Sequence, residues 1–165
     1  MKPISFPVLS VSSSEFDERV RKNVNDCIFC KIIAGQIPAC KIYEDADTLV
    51  FMDIWPIVKG HALVIPKRHY ADIVSSPAEV LAKLIFVAQK IAAAQKRALK
   101  ADGINIMQSN GRAAGQVVDH IHLHVIPRFN SDGHHWNWKT QKYADGPEMQ
   151  ELGDSISAEL NKAGK

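Results

Sequence analysis

Asp119-His120-Ile121-His122-Leu123-His124-Val125-Ile126-Pro127-Arg128 alternates polar and apolar side chains strictly from His120 to Val125. That is the period of a β-strand with one face in a core. On such a strand Ile121, Leu123 and Val125 point inward and the three histidines share the opposite face. Successive imidazoles then sit about 6.6 Å apart at a rise of about 3.3 Å per residue. A solvent-facing strand has no packing reason to carry three of them in register, so the set reads as chemistry. An H-x-H pair can chelate a metal ion, and groups titrating near neutral pH can act as nucleophile, acid or base.

The loop just upstream, Asn110-Gly111-Arg112-Ala113-Ala114-Gly115-Gln116, feeds straight into this strand. Its glycines allow backbone N–H groups to approach an anion closely, and beside three histidines it reads as a phosphate cradle. No Gly-Lys-Ser/Thr follows it, so it is not a P-loop.

Working outward, residues 1–24 carry a serine cluster and a charged run and read as a flexible tail, and the domain is expected over 25–130. Cys27 to Ala34 suits a short amphipathic helix stopped by Gly35 and Pro38. Lys41–Glu44 and Thr48–Asp53 form a hairpin about Asp45-Ala46-Asp47, and His61–Pro66 is a third strand of an antiparallel meander. Ser76-Pro77-Ala78-Glu79 reads as a capping box opening a long helix. Along that helix Leu81, Leu84, Ile85, Ala88, Ile91 and Ala92 recur on one face, and Asp102-Gly103 ends it. Ile104–Gln108 is a fourth strand and the histidine stretch a fifth. A C-terminal extension over 131–165 holds a helix from about Pro147 to Lys162. The expected class is α+β: a five-stranded antiparallel sheet with one long and one short helix plus a C-terminal helix.

The 165 residues, 46% hydrophobic and 23% charged, fit one ordinary globular domain. A net charge of +2 is too small to argue for non-specific nucleic-acid binding, so no nucleic-acid partner is expected, and it does not oppose anionic ligands. No apolar run approaches the ~20 residues that span a bilayer, and the N-terminal stretch lacks the features of a signal peptide, so no membrane partner and a cytoplasmic setting are expected. Of the three cysteines, Cys27 and Cys30 have Cys-x-x-Cys spacing, which points to metal or thiol chemistry before disulfides; Cys40 stands apart.

The run from Asn110-Gly111 through Gly115-Gln116 to His120-Ile121-His122-Leu123-His124-Val125-Ile126-Pro127 resembles the signature of the histidine triad (HIT) family of nucleotide hydrolases and transferases. The likeness extends back through Phe51-Met52-Asp53-Ile54-x-Pro56, Gly60-His61 to Lys67-x-His69, and Cys27-Ile28-Phe29-Cys30. The resemblance implies a HIT-like fold that cleaves a purine nucleotide derivative at its α-phosphorus. The substrate class is a nucleoside phosphoramidate or a dinucleoside polyphosphate, and the product a nucleoside monophosphate. His122 would be the nucleophile, its ring fixed by the His120 carbonyl, with His124, His61 and Gln116 at the phosphate. Asp53 would hold the ribose, Phe29, Ile37 and Phe51 the base, and Ser109, Gly115 and Val117 the phosphate side. In the zinc-containing bacterial-type branch, positions matching Cys27, Cys30, His69 and His120 bind one structural zinc; no organic cofactor is implied. The resemblance also implies a homodimer through the long helix and a sheet edge. Two positions depart from the common pattern: Val117 replaces a hydroxyl residue, and Ser109 an asparagine or glutamine. His134-His135-Trp136-Asn137-Trp138 is either a surface loop or a wall of the leaving-group pocket. Two rival readings are a metal-dependent hydrolase using His120, His122 and His124 as ligands, and a non-catalytic nucleotide-binding regulator.

Overall fold

A computed structural model describes residues 24–134 and 139–162. Except for Val24, the tail expected over 1–24 lies outside the described residues, as do 135–138 of the His134–Trp138 segment. Five strands, β1 (Lys41–Glu44), β2 (Thr48–Met52), β3 (Ala62–Pro66), β4 (Gly103–Met107) and β5 (Leu123–Arg128), form one antiparallel sheet in the order β1-β2-β3-β5-β4. Helix α1 (Ile28–Ile33) precedes it and α2 (Ala78–Leu99) connects β3 to β4. The fold is α+β, as the alternating and helical periods require. Gly133 closes this unit; α3 (Gly146–Lys162) belongs to another. There Asp145 Oδ1 accepts the Glu148 amide at 2.9 Å, and the Glu148 carboxylate accepts the amide of Ala144. Among the described residues no helix is long and apolar enough to cross a membrane.

The β1–β2 hairpin turns where Asp45 Oδ1 accepts the amides of Asp47 and Thr48 at 2.9 and 2.7 Å. β2 and β3 run in register from Thr48↔Pro66 to Met52↔Ala62 and are buried on both faces, which explains their unbroken apolar sequence. On one face Val50, Ala62, Val64, Ile121 and Val125 pack against Leu84, Val87, Ala88 and Ile91 of α2. On the other, Leu49, Phe51, Leu63 and Ile65 meet Phe29 and Ile32 of α1. Full burial of one such side chain is worth about 1.5–3 kcal/mol.

Three local expectations are corrected. Ser76 does not cap α2: its hydroxyl donates to Asp72 O at 2.6 Å, and Pro77 takes the cap position without a side-chain bond. The helix stops at Lys100, in a left-handed conformation at φ +57°, before Asp102-Gly103. Ile85 lies on the outer face beside Phe86, while Val87 and Gln95 are buried instead. Gln95 Nε2 donates to Gly60 O at 2.8 Å and Val125 O at 3.0 Å, tying the helix to the sheet at the histidine end. Gly60 is required there: at φ +100° a Cβ would lie 2.5 Å from Leu99 Cδ1.

The ladder of β5 begins at Leu123, two residues beyond the first alternating pair. Ahead of it, Ile121 N donates to Tyr70 O at 2.7 Å, so an extended segment carries His120 and His122 to the strand. The histidine face is not solvent-facing. α1 covers it, leaving His120 fully buried and His122 only 6% exposed.

Candidate active site

β5 and the segment before it place His120, His122 and His124 on the α1 side of the sheet, and the turn at Gly60 brings His61 beside them. His122 Nδ1–H donates to His120 O at 2.7 Å, which leaves its Nε2 with the lone pair. Phe29 meets the ring edge-on at 5.2 Å. Burial lowers the His122 pKa, opposed by that hydrogen bond and by the Asp53 charge, so the imidazole is held neutral.

His124 stands 4.8 Å from His122, ring to ring, and its Nδ1 lies 2.9 Å from His61 Nε2. Burial, reinforced by the neighbouring imidazoles, pushes His124 down to about 4. Burial also lowers His61, against the pull of Asp53. Two partners meet at His61 Nδ1: the Ile57 amide at 3.4 Å and Asp53 Oδ2 at 3.3 Å. With the amide donating, His61 Nε2–H donates to His124, and His124 presents Nε2–H. With the proton on Nδ1 the carboxylate accepts it, and His124 presents a lone pair. An anion beside His124 selects the first arrangement.

A cavity of about 360 Å³ opens in front of these rings. Of the residues expected at the site, Phe29, Ile37, Phe51, Asp53, Gly115, Val117, His122 and His124 line it. His61, 1% exposed, reaches it only through His124. Ser109 is not among the lining residues. Gln116 is turned away: its Oε1 accepts the Gly111 amide at 2.7 Å, and its Nε2 donates to Ala71 O at 2.7 Å and Val118 O at 3.0 Å. It clamps the glycine loop. The cradle is also smaller than expected. Gly115 N and Gln116 N are bonded to Arg112 O and Gly111 O, so of the three amides from Gly115 to Val117 only that of Val117 is free of a protein acceptor among the described residues. Sequence reasoning missed Ile54 and Trp55, which rim the cavity with 77% and 85% exposure. The available signal was a tryptophan in a Pro/Gly-bounded loop directly after Asp53.

Behind the nucleophile face, Cys27, Cys30, His69 and His120 bring one ligand atom each within 4.8 Å of one another. Cys27 Sγ lies 3.5 Å from His120 Nδ1, and Cys30 Sγ lies 3.4 Å from His69 Nδ1 and 3.6 Å from His120 Nδ1. Tetrahedral zinc, with Zn–S near 2.3 Å and Zn–N near 2.0–2.1 Å, requires S···N edges of about 3.6 Å. His120 Nε2–H donates to Pro66 O at 2.9 Å, which turns the Nδ1 lone pair toward the sulfurs. The donor set fits. Burial and the neighbouring Cys27 push the Cys30 thiol up to about 12, a penalty a bound cation would remove.

Residues 34–131 match the family model described as the HIT domain. The chain belongs to the HIT family. Among relatives of this HIT protein is an adenosine 5′-monophosphoramidase of Schizosaccharomyces pombe, 41% identical over 81% of this chain and 98% of its own length. An adenylylsulfatase of Arabidopsis thaliana is 40% identical over 79% of this chain and 69% of its own. A crystal structure of a zinc-bound histidine triad family protein from Mycobacterium smegmatis superposes with a TM-score of 0.64. That protein is 42% identical, over 85% of this chain and 99% of its own. At the level of the family, these relatives place the HIT protein among nucleotide hydrolases. α1 and both clustered cysteines lie ahead of the residues matched to the HIT domain.

Burial holds His61, His69, His120, His122 and His124 of the HIT protein all below the usual histidine value. In the metal-free protein the unfolded chain therefore binds more protons than the folded one between about pH 4 and pH 6.5. The resulting stability is fully present above 6.5 and is lost as the pH falls toward 4. His120 alone, pushed down to about 4, accounts for roughly 3 kcal/mol. The melting temperature of metal-free protein should fall steadily across that interval; a flat profile there would contradict the buried, neutral cluster.

Proposed function

We propose that this protein cleaves a purine nucleoside phosphoramidate or dinucleoside polyphosphate at the α-phosphorus through a nucleotidyl-histidine intermediate, releasing a nucleoside monophosphate. One observation carries the reading. His122 has its Nδ1 proton committed to the His120 carbonyl and stands in a cavity shared with Asp53 and an apolar wall, which leaves Nε2 as a neutral nucleophile. The Nε2–P bond forms as the bond from phosphorus to the leaving group breaks with its electron pair on the departing atom. Water then attacks the adduct, freeing the monophosphate and regenerating the imidazole. His124, backed by His61, donates to a phosphoryl oxygen, and the free Val117 amide adds a second donor. Asp53 accepts from the ribose, and Phe29, Ile37 and Phe51 flank the base. Gln116 serves as a positioning residue of the loop.

The donor set of Cys27, Cys30, His69 and His120 supports membership of the zinc-containing branch. A closed Cys2His2 site supplies structure, not a reactive water: it would tie α1 to the end of β3 and to His120. A homodimer is supported by the outer face of α2, where Ile85 and Phe86 are exposed, and by β4, an edge strand with Ile106 exposed. Cys-x-x-Cys spacing, which suits metal or thiol chemistry before structural disulfides, supports a cytoplasmic setting.

The test is mass spectrometry of protein quenched with a slowly turned-over adenosine 5′-phosphoryl substrate. A nucleotidyl adduct mapped to His122 is expected. Turnover without any adduct would sink the covalent mechanism, and binding without turnover would favour the regulator.

A further inference from the structure

The buried face of α2 carries Leu84, Val87, Ala88, Ile91 and Gln95, and Gln95 is the one polar side chain among them. The helical period asks for an apolar residue there. Its Oε1 is buried without a donor among the described residues, a penalty that an apolar side chain of the same length would avoid. A buried amide left half satisfied points to a task besides packing.

The other end of the amide shows the task. Nε2 donates to two backbone carbonyls, Gly60 O at 2.8 Å and Val125 O at 3.0 Å. Gly60 directly precedes His61, and Val125 directly follows His124. Side chains alternate along each strand, so Ala62 and Val125 face α2 while the two imidazoles lie on the opposite side. Gln95 thus holds, from behind, the two backbone segments that present His61 and His124.

The sheet itself does not fix the segments at this end. The β3–β5 ladder runs from Val64↔Leu123 to Ala62↔Val125 and stops. One residue further, His61 N donates to Val58 O at 3.0 Å. Pro127, whose Cγ would stand 3.0 Å from a Cβ at Gly60, has no N–H to donate. Gly60 O therefore takes from the helix the donor that the neighbouring strand lacks. The absence of a side chain at Gly60 lets α2 come close enough to supply it.

The contact that depends on this register is short. His61 Nε2 and His124 Nδ1 are 2.9 Å apart, and a shift of about 1 Å would open them beyond hydrogen-bond range. We propose that Gln95 is a positioning residue: by tying Gly60 to Val125 it keeps His61 bonded to His124, so that His124 turns its Nε2–H toward a phosphoryl oxygen. The effect on phosphate rests on the phosphoryl-transfer reading above; the contact between the rings does not.

The test compares the wild type with Gln95→Met, which keeps the length of the side chain and removes its donor. Val87→Ala is the control: a core truncation two turns earlier on the same face, which removes no hydrogen bond to either carbonyl. The first readout needs no substrate. In protein labelled with 15N at histidine, the coupling across the N–H···N bond between His61 and His124 should be resolved in the wild type and in Val87→Ala. It should be lost in Gln95→Met, whose rings exchange between the two tautomer arrangements. The second readout is turnover of adenosine 5′-phosphoramidate, well below the melting temperature of each variant. In Gln95→Met kcat should fall by about 10- to 100-fold, the cost of a misplaced catalytic group, with KM within about threefold. In Val87→Ala kcat should stay within about threefold. Persistence of the coupling in Gln95→Met, or an equal loss in Val87→Ala, overturns the proposal and leaves Gln95 a structural tie. A lost coupling with unchanged kcat overturns it too, since the pair then takes no part at the phosphate. If the wild type is inert and no adduct forms on His122, the phosphoryl-transfer reading falls, and the coupling alone still decides whether Gln95 sets the pair.

Discussion

His122→Ala is expected to lower kcat/KM toward a good nucleotide substrate by about 10⁴-fold or more, the loss of over about 5 kcal/mol of transition-state stabilisation. The effect is large because a covalent route disappears entirely, and no other imidazole in the cavity offers a free lone pair at the same place. In the arrangement that an anion selects, His124 accepts from His61 at Nδ1 and carries its proton on Nε2, and His120 is buried with both nitrogens engaged. Ground-state binding should change far less, since Asp53 and the base-flanking residues remain. Because the ring packs edge-on against Phe29, alanine leaves a small void; His122→Asn, closer in size, guards against misreading a folding defect. Retention of substantial turnover with a folded His122→Asn protein would remove this residue from the reaction.

Metal removal is expected to produce the second large effect, on stability. If zinc occupies the Cys27, Cys30, His69 and His120 cluster, its loss leaves two thiols and two imidazoles packed among Phe29, Phe51 and one another. Structural zinc contributes about 10–16 kcal/mol of binding free energy in small peptides. Here the sheet has its own core, so a loss of about 4–5 kcal/mol, or about 10–15 °C in melting temperature, is expected from a strong chelator. Below the new melting temperature, catalysis should survive. A chelator that abolished activity at once in folded protein would favour the metal-dependent hydrolase using His120, His122 and His124. The geometry speaks against that arrangement: His122 Nδ1 is bonded to a carbonyl and His120 faces the sulfurs, so the three rings do not converge.

Most of the fold was legible because its signals are local. The Asp45 turn, the doubly buried runs of β2 and β3 and the helical period of α2 each declare themselves within a few residues. The misreadings arose where a distant partner intervened. Asp72 took the Ser76 hydroxyl, and the sheet selected Val87 and Gln95 over Ile85 for the buried face. The family resemblance implied Gln116 at the phosphate, yet its amide found Gly111, Ala71 and Val118 first. The cavity rim was invisible because an exposed Ile54 or Trp55 acquires meaning only from what stands across from it.

The sequence by itself determined the strand, the alternation that puts three imidazoles on one face, and the Cys-x-x-Cys spacing of two thiols. These follow from residue type and backbone period alone. Only the tertiary structure decided the chemistry of each ring. Cys27 lies 93 positions from His120, and Asp53 and His61 come from the other side of the sheet's central pair. Burial and hydrogen-bond partners set tautomer and pKa, and both are properties of the neighbours that folding brings in.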